Sequence, residues 1–151
     1  STCGIVPMIL RFAEDFNQVN LAISLHASSD EDRSAIMPIN NRYDIKEVLS
    51  ACDEYTKKTK RRITYEYTLV SGVNDSVQSA KRLAGLLKGK LCHVNLIPLN
   101  EVKDSGFVTV SKSKAFEFQK ALEEAGIPAT IRRELGDDID AACGQLRLNN
   151  E

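Results

Sequence analysis

Short apolar or β-branched runs alternate along this chain with amphipathic stretches of helical period, and that alternation limits the fold more than any other feature. Strands joined through helix-length segments build βαβ units and a parallel sheet. Gly4–Glu14 predicts a helix, with Pro7 tolerable only in its first turn. Asn20–Leu25 is a short apolar run suited to a strand buried on both faces. The acids Asp30, Glu31 and Asp32 suit the start of a short helix that Pro38 ends. Ile45–Lys58 carries Ile45, Val48, Leu49, Cys52 and Tyr55 at helical spacing. Asp44 is its expected N-cap, and Glu47 completes a capping box. Arg62–Val70 alternates and is rich in β-branched and aromatic residues, which predicts a strand. Gly72, Asn74 and Asp75 form a turn, Val77–Lys88 a helix stopped by Gly89, and Cys92–Ile97 a strand ended by Pro98. Lys112–Ala125 predicts a helix with Gly126 as C-cap, and Pro128–Glu134 a last strand. The segment from Gly136 to Gln145 is small, acidic and irregular.

The pattern contains about four strands and no second domain, so residues 1–151 read as one α/β unit. The chain opens on Ser1-Thr2-Cys3-Gly4 directly before a helix, as if cut at the end of a preceding strand. It is therefore expected to be part of a larger barrel or sheet. In such folds the ligand sits at the carboxyl ends of the strands. That rule nominates Ser1–Gly4, Ser24–Ala27, Ser71–Asp75, Pro98–Asn100 and the segment after Glu134.

Composition excludes some classes. With 42% hydrophobic residues and a mean hydropathy of -0.25, the chain reads as globular rather than disordered. No apolar run approaches the ~20 residues of a membrane span, so no membrane partner is expected. The N-terminus lacks a secretion signal, and the expected compartment is the cytoplasm. A net charge of -1 does not advertise a nucleic-acid binder, although a local patch can supply the positive charge. Four cysteines, Cys3, Cys52, Cys92 and Cys143, show no close metal-binding spacing, so no metal ligand is assigned. Cys52 fits a buried small hydrophobe.

Several residues at the nominated places can carry chemistry. Ser24 and His26 end a strand and can bind carboxylate or ribose groups, or His26 can simply satisfy a carbonyl. Asn100 follows a strand broken by Pro98 and can read a ribose or an adenine edge, or be an ordinary turn residue. Glu66 shares a strand face with Thr64 and Thr68, opposite Tyr65, Tyr67 and Leu69, and points to either a site or solvent. The basic run from Lys57 to Arg62 can hold phosphates or form a solvated helix terminus. Arg132 and Arg133 are better placed for a polyanion near the site. Cys143 has the small neighbours Ala141, Ala142 and Gly144, which leave its thiol approachable. The acids Asp137, Asp138 and Asp140 argue against an ordinary thiolate nucleophile.

Six runs, in order, carry a resemblance. They are Ser1–Gly4, Asn20–Ala27, Met37–Asn40, Gly72–Asp75, Cys92–Asn100 and Arg132–Leu146, the last containing GDDIDAACGQL. The chain resembles the C-terminal portion of the RlmN/Cfr family of radical-SAM adenosine methyltransferases. The resemblance implies part of a partial (β/α)6 barrel with a mostly parallel sheet. It implies that Ser1, Ser24, Leu25, His26 and Asn100 contact S-adenosylmethionine, and that Cys143 takes a methyl group from it. A second S-adenosylmethionine, cleaved reductively at a 4Fe-4S cluster, then gives the radical that activates the Cys143-bound methyl for addition to adenine. The closer match, the RlmN type, implies carbon-2 of adenosine in 23S rRNA and tRNA; the alternative is the Cfr-type carbon-8 position.

The family's cluster motif C-x-x-x-C-x-x-C is absent from the chain, so the cluster's ligands are not expected here and the chain alone is expected to be inactive. Cys3 stands where the family usually has serine, and Glu101 where it usually has proline. Competing readings are a non-catalytic S-adenosylmethionine or nucleotide-binding module, and another barrel enzyme. The latter wants a strand-end lysine or a glycine-rich phosphate loop, and neither is present.

Overall fold

The computed structural model describes residues 1–99 and 108–132. Four strands, β1 (Leu21–Ser24), β2 (Ile63–Leu69), β3 (Cys92–Pro98) and β4 (Ala129–Ile131), form one sheet in that order with every neighbouring pair parallel. Helix α1 (Val6–Asp15) precedes β1, while α2 (Asp30–Ile36), a 3-10 turn at Pro38–Asn41 and α3 (Ile45–Thr59) connect β1 to β2. Helix α4 (Val77–Leu87) joins β2 to β3, and α5 (Lys112–Glu124) joins β3 to β4. The strand–helix alternation expected from the sequence is what the described residues adopt. Thr2 extends the parallel pairing on the far side of β1 through a single bridge to Ile23.

Local sequence sets most of the element ends. Asp44 accepts from the Glu47 amide at 2.8 Å while the Glu47 carboxylate accepts from the Asp44 amide at 3.0 Å, so the expected capping box forms. Ser29 caps α2 by accepting from the Asp32 amide. Helix α5 stops at Glu124, and Gly126 follows at φ +80°, a left-handed turn that glycine adopts without strain. Most element ends fall within a residue or two of expectation; at the end of β3, Pro98 is the last residue, opposite Leu69, rather than the residue beyond it. A proline is tolerated there because the hydrogen bond to Leu69 comes from the next amide, Leu99, at 3.3 Å.

The sheet has two unlike faces. Ile23, Leu25, Ile63, Tyr65, Tyr67, Leu69, Val94 and Leu96 are buried in one cluster with Val48, Leu83 and Phe118 of the helices. Phe118 packs on Tyr67 with ring centroids 5.1 Å apart, which adds about 0.5–1.5 kcal/mol to the burial term. Cys52 is buried in this core, as its helical spacing predicts. The alternate residues, Ala22, Ser24, Thr64, Glu66, Thr68, His93 and Asn95, are only partly covered. These residues make up the sheet's polar face. No helix among the described residues is long and apolar enough to cross a membrane.

Candidate functional site

Strand register brings Ser24, Glu66, Asn95 and Thr130 into one row across the polar face. Glu66 lies on this face, as its company of Thr64 and Thr68 suggests. Its Oε2 accepts from Ser24 Oγ at 3.1 Å and from Ser1 Oγ at 3.2 Å. Ser1 reaches that point because Thr2 is hydrogen-bonded on both sides of Ile23, its amide to Ala22 O at 3.0 Å and its carbonyl from the Ser24 amide at 2.9 Å.

The turn after Thr2 depends on two residues. Gly4 has φ +101°, and a Cβ there would meet Val48 Cγ2 at 3.0 Å, so close packing as well as conformation requires glycine. Arg33 has no solvent exposure. Its guanidinium donates to the carbonyls of Cys3 at 2.8 Å, Leu25 at 3.2 Å and Tyr43 at 3.2 Å, and to Asn40 Oδ1 at 2.9 Å. Burial pulls its pKa down, with Asp30 among the groups acting the other way. Local sequence does not reveal this role, because Arg33 closes an acid-rich run that looks solvated.

His26 ends the row's neighbouring segment at φ +58°, a left-handed conformation uncommon for a residue with a side chain. Three bonds hold it there. Its amide donates to Glu66 O at 3.2 Å, its carbonyl accepts from Asn74 Nδ2 at 2.8 Å, and its Nδ1 accepts from the Thr68 amide at 3.0 Å. Since Nδ1 accepts, the neutral ring carries its proton on Nε2. Asn74 is fully buried and also donates to Thr68 O at 2.7 Å while its Oδ1 accepts from the Val70 amide at 2.8 Å. Sequence reasoning read Asn74 as a turn residue and missed that it clamps the end of β2 to His26.

Leu25 differs from its neighbours. Its side chain is fully buried, its amide donates to Glu66 O, and its carbonyl is taken by Arg33. Leu25 thus anchors the strand end from the core side. The structure gathers Ser1, Ser24, His26 and Glu66 at one end of the sheet; Asn100, Glu101, Arg133, Cys143 and the whole of Gly136–Leu146 lie outside the described residues. The basic run is elsewhere. Lys57 pairs with Glu54, Lys58 with Glu14, and Arg61 donates to Asn20 Oδ1, all around the opposite, N-terminal ends of the strands. These contacts favour the solvated-terminus reading of that run.

Burial lowers the His26 pKa, Arg33 lowers it further, and Glu66 opposes both. Protonation therefore favours the unfolded chain, whose histidine titrates near the ordinary 6.5. The contribution is full above that value and is lost as pH falls through it toward the folded pKa. His93, also lowered by burial, acts with the same sign. The urea midpoint is expected to fall between about pH 7.5 and about pH 5.5, and to fall less in His26→Gln.

No family model matches the chain. Full-chain comparison does find relatives. One from Thermoanaerobacter sp. (strain X514), named a probable dual-specificity RNA methyltransferase RlmN, is 56% identical over 147 residues, covering 97% of this chain and 43% of the relative. One of the same name from Clostridium perfringens (strain SM101 / Type A) is 58% identical over 147 residues, again 97% of this chain and 42% of the relative. The crystal structure of a radical SAM methyltransferase from Sphaerobacter thermophilus matches with a TM-score of 0.92 and 51% identity over 95% of this chain and 42% of that one.

The chain belongs to the RlmN/Cfr family.

It spans a little over two fifths of the length of these RlmN relatives. A domain of pyruvate-formate lyase-activating enzyme from Bacteroides vulgatus shares the fold alone, at 19% identity and a TM-score of 0.64 over 85% of this chain and 73% of that one. The parallel α/β layout and the radical SAM neighbour agree with the partial RlmN/Cfr barrel expected from sequence. Among the described residues no group of three His, Cys, Asp or Glu side chains can hold a metal. Cys52 and Cys92 are buried and Cys3 sits on the loop before α1, so the described cysteines do not fit a 4Fe-4S cluster.

Proposed function

We propose that residues 1–151 form part of a radical-SAM RNA methyltransferase of the RlmN type, lining its S-adenosylmethionine site and supplying its methyl-carrying cysteine. The observation that carries this reading is the 56–58% identity, over 97% of the chain, to relatives named as dual-specificity RNA methyltransferases. The geometry supports it. An open polar face with two serine hydroxyls, a carboxylate and a neutral imidazole suits an adenosyl amino acid, which is rich in hydrogen-bonding groups at both ends.

In this reading Ser1, Ser24 and His26 meet S-adenosylmethionine directly, together with Asn100. Leu25 contributes backbone placement, since its side chain is in the core. Cys143 attacks the sulfonium methyl carbon. The new bond joins its sulfur to that carbon, the old carbon–sulfur bond breaks, the thiol proton goes to solvent, and S-adenosylhomocysteine leaves. The acceptor is carbon-2 of an adenosine in 23S rRNA and tRNA, in the cytoplasm.

The test uses the full-length protein containing this segment, prepared anaerobically with its 4Fe-4S cluster and given S-adenosylmethionine with 23S rRNA or tRNA. Mass spectrometry of the digested RNA is expected to show 2-methyladenosine from both. Methyladenosine from neither RNA would overturn the function. The 8-methyl isomer would overturn the carbon-2 assignment alone. The 151-residue chain by itself is expected to form no methyladenosine.

A further inference from the structure

We propose that Glu66 is a ligand-contacting residue that makes this end of the sheet specific for a hydrogen-bond-donating group of S-adenosylmethionine, its α-ammonium or its ribose diol. The inference rests on the S-adenosylmethionine reading above, and adds a residue and a polarity to it.

The direction of the hydrogen bonds carries the argument. A serine hydroxyl has one proton to give and lone pairs to spare. Ser1 and Ser24 both donate to the same oxygen of Glu66. Their protons are used, so each has only lone pairs left to offer. The second carboxylate oxygen has no donor among the described residues, and it accepts as well. Three adjoining groups therefore offer acceptors and none offers a donor. A carboxylate or phosphate would be repelled here, whereas an ammonium or a pair of hydroxyls would be received.

Charge points the same way. Glu66 is the one acidic side chain on the polar face among the described residues, and no lysine or arginine there is within ion-pair distance of it. His26, which is coupled electrostatically to Glu66, is kept neutral at physiological pH by burial and by Arg33, so its ring supplies no counter-charge. Arg33 itself is turned away, with its donors committed to Cys3, Leu25, Tyr43 and Asn40. With one oxygen taken by the two serines and no cationic partner, the carboxylate has acceptor capacity left for a further donor. The Ser24–Glu66–Asn95 row fixes where that donor must lie, because all three side chains rise from adjacent parallel strands in direct register.

The experiment is equilibrium binding to the full-length, cluster-loaded protein, comparing wild type with Glu66→Gln and Glu66→Ala. The probes are S-adenosylmethionine and 5′-methylthioadenosine, which keeps the diol and lacks the ammonium. Glu66→Gln retains the side chain's size and one acceptor oxygen, so folding is checked by an unchanged urea midpoint. Affinity for S-adenosylmethionine is expected to fall about tenfold or more in Glu66→Gln and further in Glu66→Ala. If the donor is the ammonium, methylthioadenosine binding stays unchanged in Glu66→Gln; if it is the diol, both probes weaken by the same factor. Either pattern supports the proposal. Wild-type affinity for S-adenosylmethionine in folded Glu66→Gln overturns it and leaves the functional reading standing. A wild-type protein that binds no S-adenosylmethionine overturns the functional reading and this inference with it.

Discussion

Replacing Arg33 with methionine is expected to destabilise the folded chain by about 3 kcal/mol or more, a large part of the roughly 5–15 kcal/mol available to a domain. Methionine fills most of the vacated volume, so the loss is not a cavity effect. It comes from the acceptors left behind. The carbonyls of Cys3, Leu25 and Tyr43 and the Asn40 side-chain oxygen would each lose a donor inside the protein. An orphaned buried acceptor costs about 1–3 kcal/mol. Against this stands the desolvation that the guanidinium no longer suffers, worth several kcal/mol in the abstract. The acceptors win because three of the four are backbone carbonyls that cannot turn elsewhere, and because Asp30 already offsets part of the guanidinium's burial. Arg33→Lys is expected to lose less, since an ammonium keeps the charge but cannot fork to partners on several sides. Urea denaturation measures the outcome; an unchanged midpoint in Arg33→Met would show that the buried guanidinium adds nothing net. Amide exchange should quicken first at Thr2 and Ser24, which donate to Ala22 O and Thr2 O beside the tethered Cys3 carbonyl. The stabilising residue and the serines proposed to face the ligand are therefore one mechanical unit.

That unit shows what the sequence makes legible. The capping box of Asp44 and Glu47 spans three residues, and local spacing is enough to find it. The buried stripe from Ile45 to Tyr55 follows from helical period, and the polar face of β2 from period-two alternation. Ser24 and His26 could be placed at a strand end because strands of an α/β sheet deliver their ligand residues there. Arg33 and Asn74 could not be found this way. Their farthest partners lie 30 and 48 residues away, at Cys3 and His26, and nothing in a local window distinguishes them from a solvated arginine and a turn asparagine. Glu66 is intermediate. Alternation assigns its face, but only the contacts with Ser1 and Ser24 say what it does there. For Cys143 the sequence offers only small neighbours, and the reaction proposed for it comes from the family resemblance.

Cys143→Ala in the full-length protein is expected to reduce RNA adenosine methylation to background while leaving S-adenosylmethionine binding close to wild type. The two effects separate because the groups proposed to bind the cofactor, Ser1, Ser24, His26 and Glu66, are held by hydrogen bonds within the sheet and its edge. Cys143→Ser is expected to be equally inactive. A hydroxyl matches the thiol in size, but it is a far weaker nucleophile toward a sulfonium methyl, because so little of it is ionised at neutral pH. The neighbours Ala141, Ala142 and Gly144 are small residues, so the expected difference between serine and cysteine rests on the nucleophile rather than on side-chain size. Mass spectrometry of the peptide containing position 143 supplies a second readout that does not depend on RNA. Wild-type protein isolated with S-adenosylmethionine should carry a methyl group on Cys143, and the serine variant none. RNA methylation retained in Cys143→Ala would remove this residue from the reaction, and the methyl would then have to reach adenine by a route that bypasses it.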